Sequence, residues 1–545
     1  MNLVSCSTIH CLGLVLCVGS AQAADEPHPF SLPLQTLERD LTSPDYHAVL
    51  ATMIPTDLRA EWQRVATPDN YHVFAKQHGG LEQLSADPVL KRAYDRRKDI
   101  ADRFLAMMAD AYAAKKQKPP FADPAALLKV LESADRRGTG TDGAAIAIEP
   151  IYPAEDAAKY WTALRGPTQQ GLVRNSTLPQ TWDVLWKTPL PGQGNSAPII
   201  WGDQLFVTAE GPRPEGATAG PERFVLAFDR RDGVLQWKHA APQPTELETL
   251  YWKNTFASST VVTEGERVIA FLGNSGLVCC DLASNRLWHT DLGTFPTMHG
   301  PGTTPVLYRD LVIVMQDQNK GTSLFAAYDK QSGAKRWQHE RPKQAGWCSP
   351  VLLRVGNRDE LIYNGSHIVI GYDPATGTEL WRANGTTEES IPMIVTGGGL
   401  LYSASGRNGP IFAIRPGGSG DVSDTHVVWR NARGGPLVPT PAYHAGRLYL
   451  VNDTGILTCL DATTGDTVWQ HRLRGRFSTS PLVIDDQLLV VSEDGVATVF
   501  RTGGEFVSVA EHDLGETVLA TPAVLDNRVY VRTAGHVLCV GEAGR

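Results

Sequence analysis

Few side chains in this 545-residue chain are of a type and in a setting to do chemistry. His299 sits in Met298-His299-Gly300-Pro301-Gly302, a flexible stretch that could aim an imidazole as a general base. Asp317 and Glu388 are carboxylates of the kind that accept a proton or hold a hard cation. Asn254, Trp347, Asn408 and Arg476 supply amide oxygens, an aromatic plate and a guanidinium, and Phe256, Asn319 and Glu389 fall at equivalent places. These are parts of a polar rim with an aromatic plate. No spacing ties them into a set, and each also reads as an ordinary rim or turn residue.

The cysteines look structural. Cys279 and Cys280 are adjacent within Gly276–Asp281, a strand-like run in which neighbours point to opposite faces. Cys279, Cys459 and Cys539 fall at one repeated place filled elsewhere by Ala227, Ala327, Gly371 and Ala413, which predicts a small buried slot. Cys279, Cys280, Cys348, Cys459 and Cys539 form neither a zinc pattern nor a disulfide framework. No phosphate-binding loop, nucleophile elbow, zinc-protease or dinucleotide fingerprint stands in a suitable context. A net charge of −9 argues against a mainly electrostatic nucleic-acid binder.

The elements that must position these residues are more legible. Asp329, Gly333 and Trp337 mark a strand, a tight turn and a second strand. The same spacing recurs at Asp229, Gly233 and Trp237, at Asp373, Gly377 and Trp381, and at Asp461, Gly465 and Trp469. The Gly suits positive φ, the Asp can accept turn N–H groups, and the Trp is a plate that can pack between repeats. A second signal is a Ser/Thr-rich start before an apolar pair, at Pro198, Thr260, Pro305, Pro350, Pro392, Pro441, Pro481 and Pro522, with gaps of 62, 45, 45, 42, 49, 40 and 41 residues. Eight such units, each with room for four strands, predict a mainly β fold: an eight-bladed β-propeller of four-stranded antiparallel blades over 181–545. The Trp strand comes first in the chain, so residues 184–188 are expected to complete the last blade and close the ring. The outer strand near Val507 lacks its Trp.

Upstream, residues 1–23 read as an export signal ending at Ala21-Gln22-Ala23. A lipoprotein anchor through Cys17 fits less well, because Leu16 stands where a small residue is expected. Residues 24–135 read as a small α-helical domain with starts at Pro55, Thr67 and Asp87, and 136–180 as linker and lead-in. No later run is apolar enough to span a bilayer.

The Asp-x-x-x-Gly-x-x-x-Trp turns resemble the docking motif of PQQ-like, quinoprotein-type β-propeller repeats. Trp161…Arg165-Gly166-Pro167 and Trp186–Gly192 resemble the lead-in of the secreted, BamB-like members. That resemblance implies an exported propeller of the periplasm or cell envelope, monomeric, binding a protein partner or acting as a scaffold without catalysis or cofactor. The alternative it implies is a PQQ- and calcium-dependent dehydrogenase oxidising alcohols. His299, Asp317 and Glu388 would then be the catalytic candidates, and Asn254, Trp347, Asn408 and Arg476 the cofactor-side rim. Some members of that superfamily carry a vicinal disulfide at the quinone; here Cys279-Cys280 reads as packing.

Overall fold

The computed structural model describes residues 146–212 and 220–544. Residues 145–545 form one unit of the chain, a mainly β structure. The expected export signal and helical domain lie outside the described residues. Among those residues no helix is long and apolar enough to cross a membrane.

Eight antiparallel sheets of four strands form the propeller. Blades 1 to 7 follow one another from Ile199 to Asp513, innermost strand first. Blade 8 takes Ala523–Leu525, Arg528–Arg532 and His536–Gly541 from the C-terminal end, and Asp183–Pro189 from the start of the ring as its outer strand. Trp186 stands opposite Cys539 there. Closing the circle with one strand from each end leaves no open blade edge between first and last. The inner three strands of each blade are apolar on both faces, since both are covered by neighbouring blades. The outer strands alternate with solvent.

The seams between blades explain the sequence motif. In all eight blades the third and fourth strands slip register at the same place, for example between Ala327 and Tyr328. The skipped residue is a bulge that re-aims the next side chain, and in seven blades that side chain is the Trp. Opposite it sits the small residue of the predicted slot: Ala227, Cys279, Ala327, Gly371, Ala413, Cys459 or Cys539. The indole then lies on the turn of the following blade. Trp186, Trp237, Trp288, Trp429 and Trp469 each donate Nε1–H to a carbonyl of that turn, at 2.9–3.1 Å.

The turn Gly must lack a Cβ for two reasons. Gly233, Gly333 and Gly465 have φ of +77°, +72° and +79°, a region that side chains rarely adopt. A Cβ would also come within 2.4 Å of Trp186 at Gly233, 2.6 Å of Trp288 at Gly333 and 2.5 Å of Trp429 at Gly465. The carbonyls of these glycines accept a bond from the same strand that carries the Trp, from Thr188 to Gly233 at 2.7 Å, Thr290 to Gly333 at 2.7 Å and Asn431 to Gly465 at 2.6 Å. Each turn Gly therefore joins two blades as well as reversing the chain. The motif Asp329 accepts the N–H groups of Gln331 and Ser332, which shapes the same turn.

Nearer the axis a second device joins the blades. The Ser/Thr of one blade's start accepts the backbone N–H of the preceding blade's start: Thr260 from Ala197, Thr304 from Thr260, Ser349 from Thr304, Thr440 from Met393, Ser480 from Thr440 and Thr521 from Ser480.

The seam between blades 4 and 5 has neither device. Ile391 replaces the hydroxyl, and blade 5 has no Asp-x-x-x-Gly turn. Trp381 therefore folds back within blade 4, where its Nε1–H donates to buried Glu360 at 2.7 Å. The long connection in blade 5 instead adds Gly420–Asp421 as a parallel strand on the edge of blade 4. Asn364, one of the chain's Asn-x-Ser/Thr sequons, is fully buried and bridges the seam by donating to Pro392 and Ala404 and accepting from Ser403.

The lead-in is part of the ring. Residues 146–180 cross one end of the channel: Ile148–Pro150 pairs with blade 4, Trp161 bridges to Ile200 of blade 1, and Leu172–Val173 pairs with blade 7. Gln169 and Gln170 bond to blades 4 and 5. This plug is not announced by periodicity, because it has none.

Two outcomes follow from the seams. Gly333→Ala should lower stability by ~3 kcal/mol or more, from a left-handed φ plus overlap with a fixed ring. Gly202→Ala, at φ +57° with nothing within 4 Å of its Cβ, should cost only the conformational ~1–2 kcal/mol. Urea midpoints of the two variants measure the difference. The closing strand also carries Lys187, which pairs with Glu516 at 2.6 Å. Burial alone would raise the Glu516 pKa, but hydrogen bonds from Lys187, Thr533 and His536 outweigh it and bring it down to about 2. A depressed carboxylate stabilises fully above its unfolded value of about 4.5 and loses that contribution as pH falls toward about 2. The thermal midpoint should therefore fall less steeply in that window for Glu516→Gln than for the natural chain.

Candidate functional site at the channel mouth

The plug closes one end of the channel, and the other opens into a cavity of about 530 Å³. Its floor is Leu164 and Arg165 from the plug, its middle wall is formed by the strand starts, and its mouth by the connecting loops. The loop between blades 1 and 2 is fixed from below. Glu248, fully buried, accepts two bonds from Arg223 at 3.0 and 2.7 Å. That pair holds the segment ending in Tyr251, Trp252 and Lys253.

His299 lies at the centre of the mouth. Its ring stacks on Trp347 with centroids 5.2 Å apart and meets the edge of Tyr251 at 5.1 Å. Glu389 is 4.0 Å from its Nε2. Asn254 donates to the carbonyls of His299 and Pro301, and the Trp347 indole donates to Gly300. Asn254, His299, Trp347 and Glu389 thus line one cavity. Across it, Lys253 pairs with Glu493 of blade 7 at 2.7 Å, and Arg407 pairs with Glu389.

The other sequence candidates lie elsewhere. Asp317 is fully buried behind the wall, bound to Arg341 at 2.7 and 2.9 Å and to the Tyr363 hydroxyl at 2.9 Å. Its backbone bridges to Gly346, so this pair shapes the loop that carries Trp347. Glu388 is 78% exposed, 3.9 Å from His367, because it is one residue out of phase with Glu389. Asn408 has φ +59° and accepts the Gly434 N–H, a turn role. Arg476 is mostly exposed and reaches only to within 4.0 Å of Glu493. Phe256 is buried under the Arg223 guanidinium, and Asn319 contacts the Met298 sulfur. Cys279 and Cys280 are both buried and unbonded, their thiols pushed up by burial, Cys280 to about 12.

The repeat motif itself takes no part in the cavity. Gly233, Gly333, Gly377 and Gly465, with the Asp and Trp residues that share their motifs, sit in the blade turns and outer strands, and none of them lines the channel mouth. Their positions are those of structural residues, and a ligand in the channel would not touch them.

A quinone with calcium needs grouped carboxylate and amide oxygens beside a free aromatic plate. Among the described residues no three His, Cys, Asp or Glu side chains group as a metal set. The mouth carboxylates are each turned to an Arg or Lys, and one face of Trp347 is covered by His299. The residues as arranged do not fit that pair.

Sequence reasoning missed Tyr251, Trp252, Lys253, Arg407 and Glu493 at the mouth and Arg165 at the floor. The last is 1% exposed, donates from Nη2 to Pro441 at 2.7 Å and Gln170 at 3.2 Å, and has its pKa lowered by burial to about 9. The signal for it was the lead-in motif, whose placement only the plug discloses.

Asp317→Ala should cost ~3–5 kcal/mol of stability, because it strands the buried Arg341 charge. Glu388→Ala should be within about 0.5 kcal/mol of the natural chain. Chemical denaturation of both variants checks the contrast.

A family model described as outer membrane protein assembly factor BamB matches residues 177–299, 217–339, 249–417 and 365–505. The outer membrane protein assembly factor BamB of Alkalilimnicola ehrlichii is 27% identical over 200 residues, covering 33% of this chain and 49% of that protein. The chain thus spans about half the length of this curated relative. Among solved structures, the quinohemoprotein alcohol dehydrogenase of Comamonas testosteroni is similar with a TM-score of 0.55 and 12% identity, over 71% of this chain and 82% of that one. The quinohemoprotein alcohol dehydrogenase ADHIIG of Pseudomonas putida HK5 gives 0.53 and 13%, over 73% and 83%. At such identities those two likenesses show the fold alone. The family model, by contrast, matches stretches running from residue 177 to residue 505, more than half of the chain, with blades 1 to 6 complete and three strands of blade 7, and on that evidence the protein belongs to the PQQ-like propeller family described as outer membrane protein assembly factor BamB.

Proposed function

We propose that the propeller is a protein-binding module of the cell envelope, with its channel mouth as the contact face. The observation that carries this is Trp252. Its side chain is 76% exposed and stands beside the 44% exposed Tyr251 on a loop braced by a buried ion pair. A rigidly presented Trp–Tyr pair flanked by Lys253 and Arg407 matches the composition of binding hot spots, where aromatics and Arg carry most of the energy. The envelope location rests on the name of the curated relative, an outer membrane assembly factor. A partner in that compartment would meet the mouth without entering the plugged end.

The second reading, a quinone-dependent dehydrogenase, is favoured by one feature, the Trp347 plate within the cavity. It asks the paired carboxylates to release their partners and regroup.

Two measurements on the purified full chain separate these. Immobilised protein should retain an envelope protein stoichiometrically, and Trp252→Ala combined with Tyr251→Ala should cut that retention at least tenfold while the melting temperature stays put. Unchanged retention would sink the contact face. Titration with PQQ and Ca²⁺ should leave the quinone absorbance and dye-linked alcohol oxidation at background; turnover that vanishes in His299→Ala would establish the dehydrogenase instead.

A further inference from the structure

The middle wall of the cavity is built from donors. Thr260, Thr304, Ser349, Thr440, Ser480 and Thr521 all line it, one from each of six blades. Each oxygen accepts a backbone N–H from the preceding blade. Among the described residues none of these six hydroxyls donates to a protein acceptor, so six O–H groups remain able to donate. Seam architecture explains their accepting side and leaves the donating side unexplained.

Arg165 forms the floor beneath them. Its Nη2 bonds to backbone carbonyls, while Nε and Nη1 are buried with no hydrogen-bond partner. Among the described residues no carboxylate pairs with it, and burial is the sole influence on its pKa. The buried guanidiniums of Arg223 and Arg341 are paired, with Glu248 and Asp317; Arg532, like Arg165, bonds only to neutral oxygens, but it does not line the cavity. A buried cation without a counter-charge is held at a cost that an anion would relieve. Gly171 lets the guanidinium sit where it does, since a Cβ there would lie 2.6 Å from Nη2. Between these groups stand the apolar side chains of Leu164, Ile391, Met393, Leu437, Val438 and Leu519, and the remaining polar lining, such as Lys253, His299, Glu389 and Arg407, belongs to the mouth loops.

We infer that the channel cavity binds a small organic anion, an apolar body ending in a carboxylate, whose oxygens face Arg165 and the ring of hydroxyls. Free O–H donors beside a cation that lacks a counter-charge favour an acceptor-rich, anionic head group, and the carboxylate of the lining, Glu389, stands at the mouth paired with Arg407. The apolar residues between would cover a short hydrocarbon body, and the volume lies within the range usual for small-molecule sites. This site is the floor and middle wall of the cavity whose mouth carries Tyr251, Lys253 and Arg407, and Arg165→Met tests the floor where the Trp252 and Tyr251 variants test the mouth.

Calorimetric titration of the full chain with octanoate, octanol and inorganic phosphate tests it. Octanoate should bind at least tenfold more tightly than either octanol, which lacks the charge, or phosphate, which lacks the body. Arg165→Met should reduce octanoate affinity at least tenfold while leaving octanol unchanged. Ala520→Leu, which fills the cavity and leaves Arg165 in place, should weaken octanoate to a similar degree, and it decides the matter if Arg165→Met fails to fold. Equal binding of octanoate and octanol, phosphate binding as tight as octanoate, or full affinity in Ala520→Leu would each overturn the inference.

Discussion

An indole plane resting on a turn that lacks a Cβ is the contact on which this ring depends. Each blade is a separate sheet with two apolar faces, and nothing in its own hydrogen bonding tells it where the next blade belongs. At four of the seams the bulge before the Trp, the small residue opposite it and the Gly of the following turn together fix that relation. The bulge aims the ring, the small residue gives it room to leave its own blade, and the Gly receives it. Where the indole N–H also reaches a turn carbonyl, as Trp288 does to Lys330, the angle between blades is set as well as the distance. Trp337 rests on Gly377 in the same way but its N–H finds no partner, so there packing acts alone.

Departures from the pattern show how much redundancy closure needs. Between blades 7 and 8 the Trp is missing, and Trp182 stacks on His512 in its stead. Between blades 8 and 1 the hydroxyl is missing, because Ala197 stands in its place, and buried Arg532 bonds to Ser196 across the gap. Between blades 4 and 5 both are missing. The replacements there are polar and buried: Asn364 with three bonds, Glu360 holding Trp381, and an added strand on the edge of blade 4. Buried polar groups are costly unless satisfied, and these are satisfied. They specify the geometry of a seam whose sequence gives no motif.

The plug changes the character of the channel. A propeller open at both ends would be a wet pore. Closing one end with the lead-in makes a cup whose floor is a buried guanidinium, whose wall is rich in hydroxyl donors and whose rim is aromatic and charge-paired. Paired carboxylates at the rim, such as Glu389 with Arg407 and Glu493 with Lys253, hold the loops, beside which Tyr251 and Trp252 stand exposed.

The repeats were readable from residue spacing alone. Asp329, Gly333 and Trp337 are local in sequence, and so are their counterparts around Gly233 and Gly465. Each makes a local turn or a contact repeated at a fixed interval, so periodicity carries the information. The eight strand starts, and the small slot occupied by Cys279, Cys459 and Cys539, were legible for the same reason. The channel mouth was only half legible. His299, Trp347, Asn254 and Glu389 fall at equivalent places in successive repeats and do converge, whereas Glu388 and Glu389 differ by one residue in an extended loop and so face opposite ways. Asp317 was misplaced because a buried partner, Arg341, draws its side chain away from the axis. Arg165 needed tertiary structure outright: its neighbours at Pro441 and Pro481 are distant in sequence, and a segment without periodicity offers no pattern from which to place it. Local turn chemistry and repeat spacing determined the ring. Long-range pairing of charges and the path of one irregular segment decided what its channel presents.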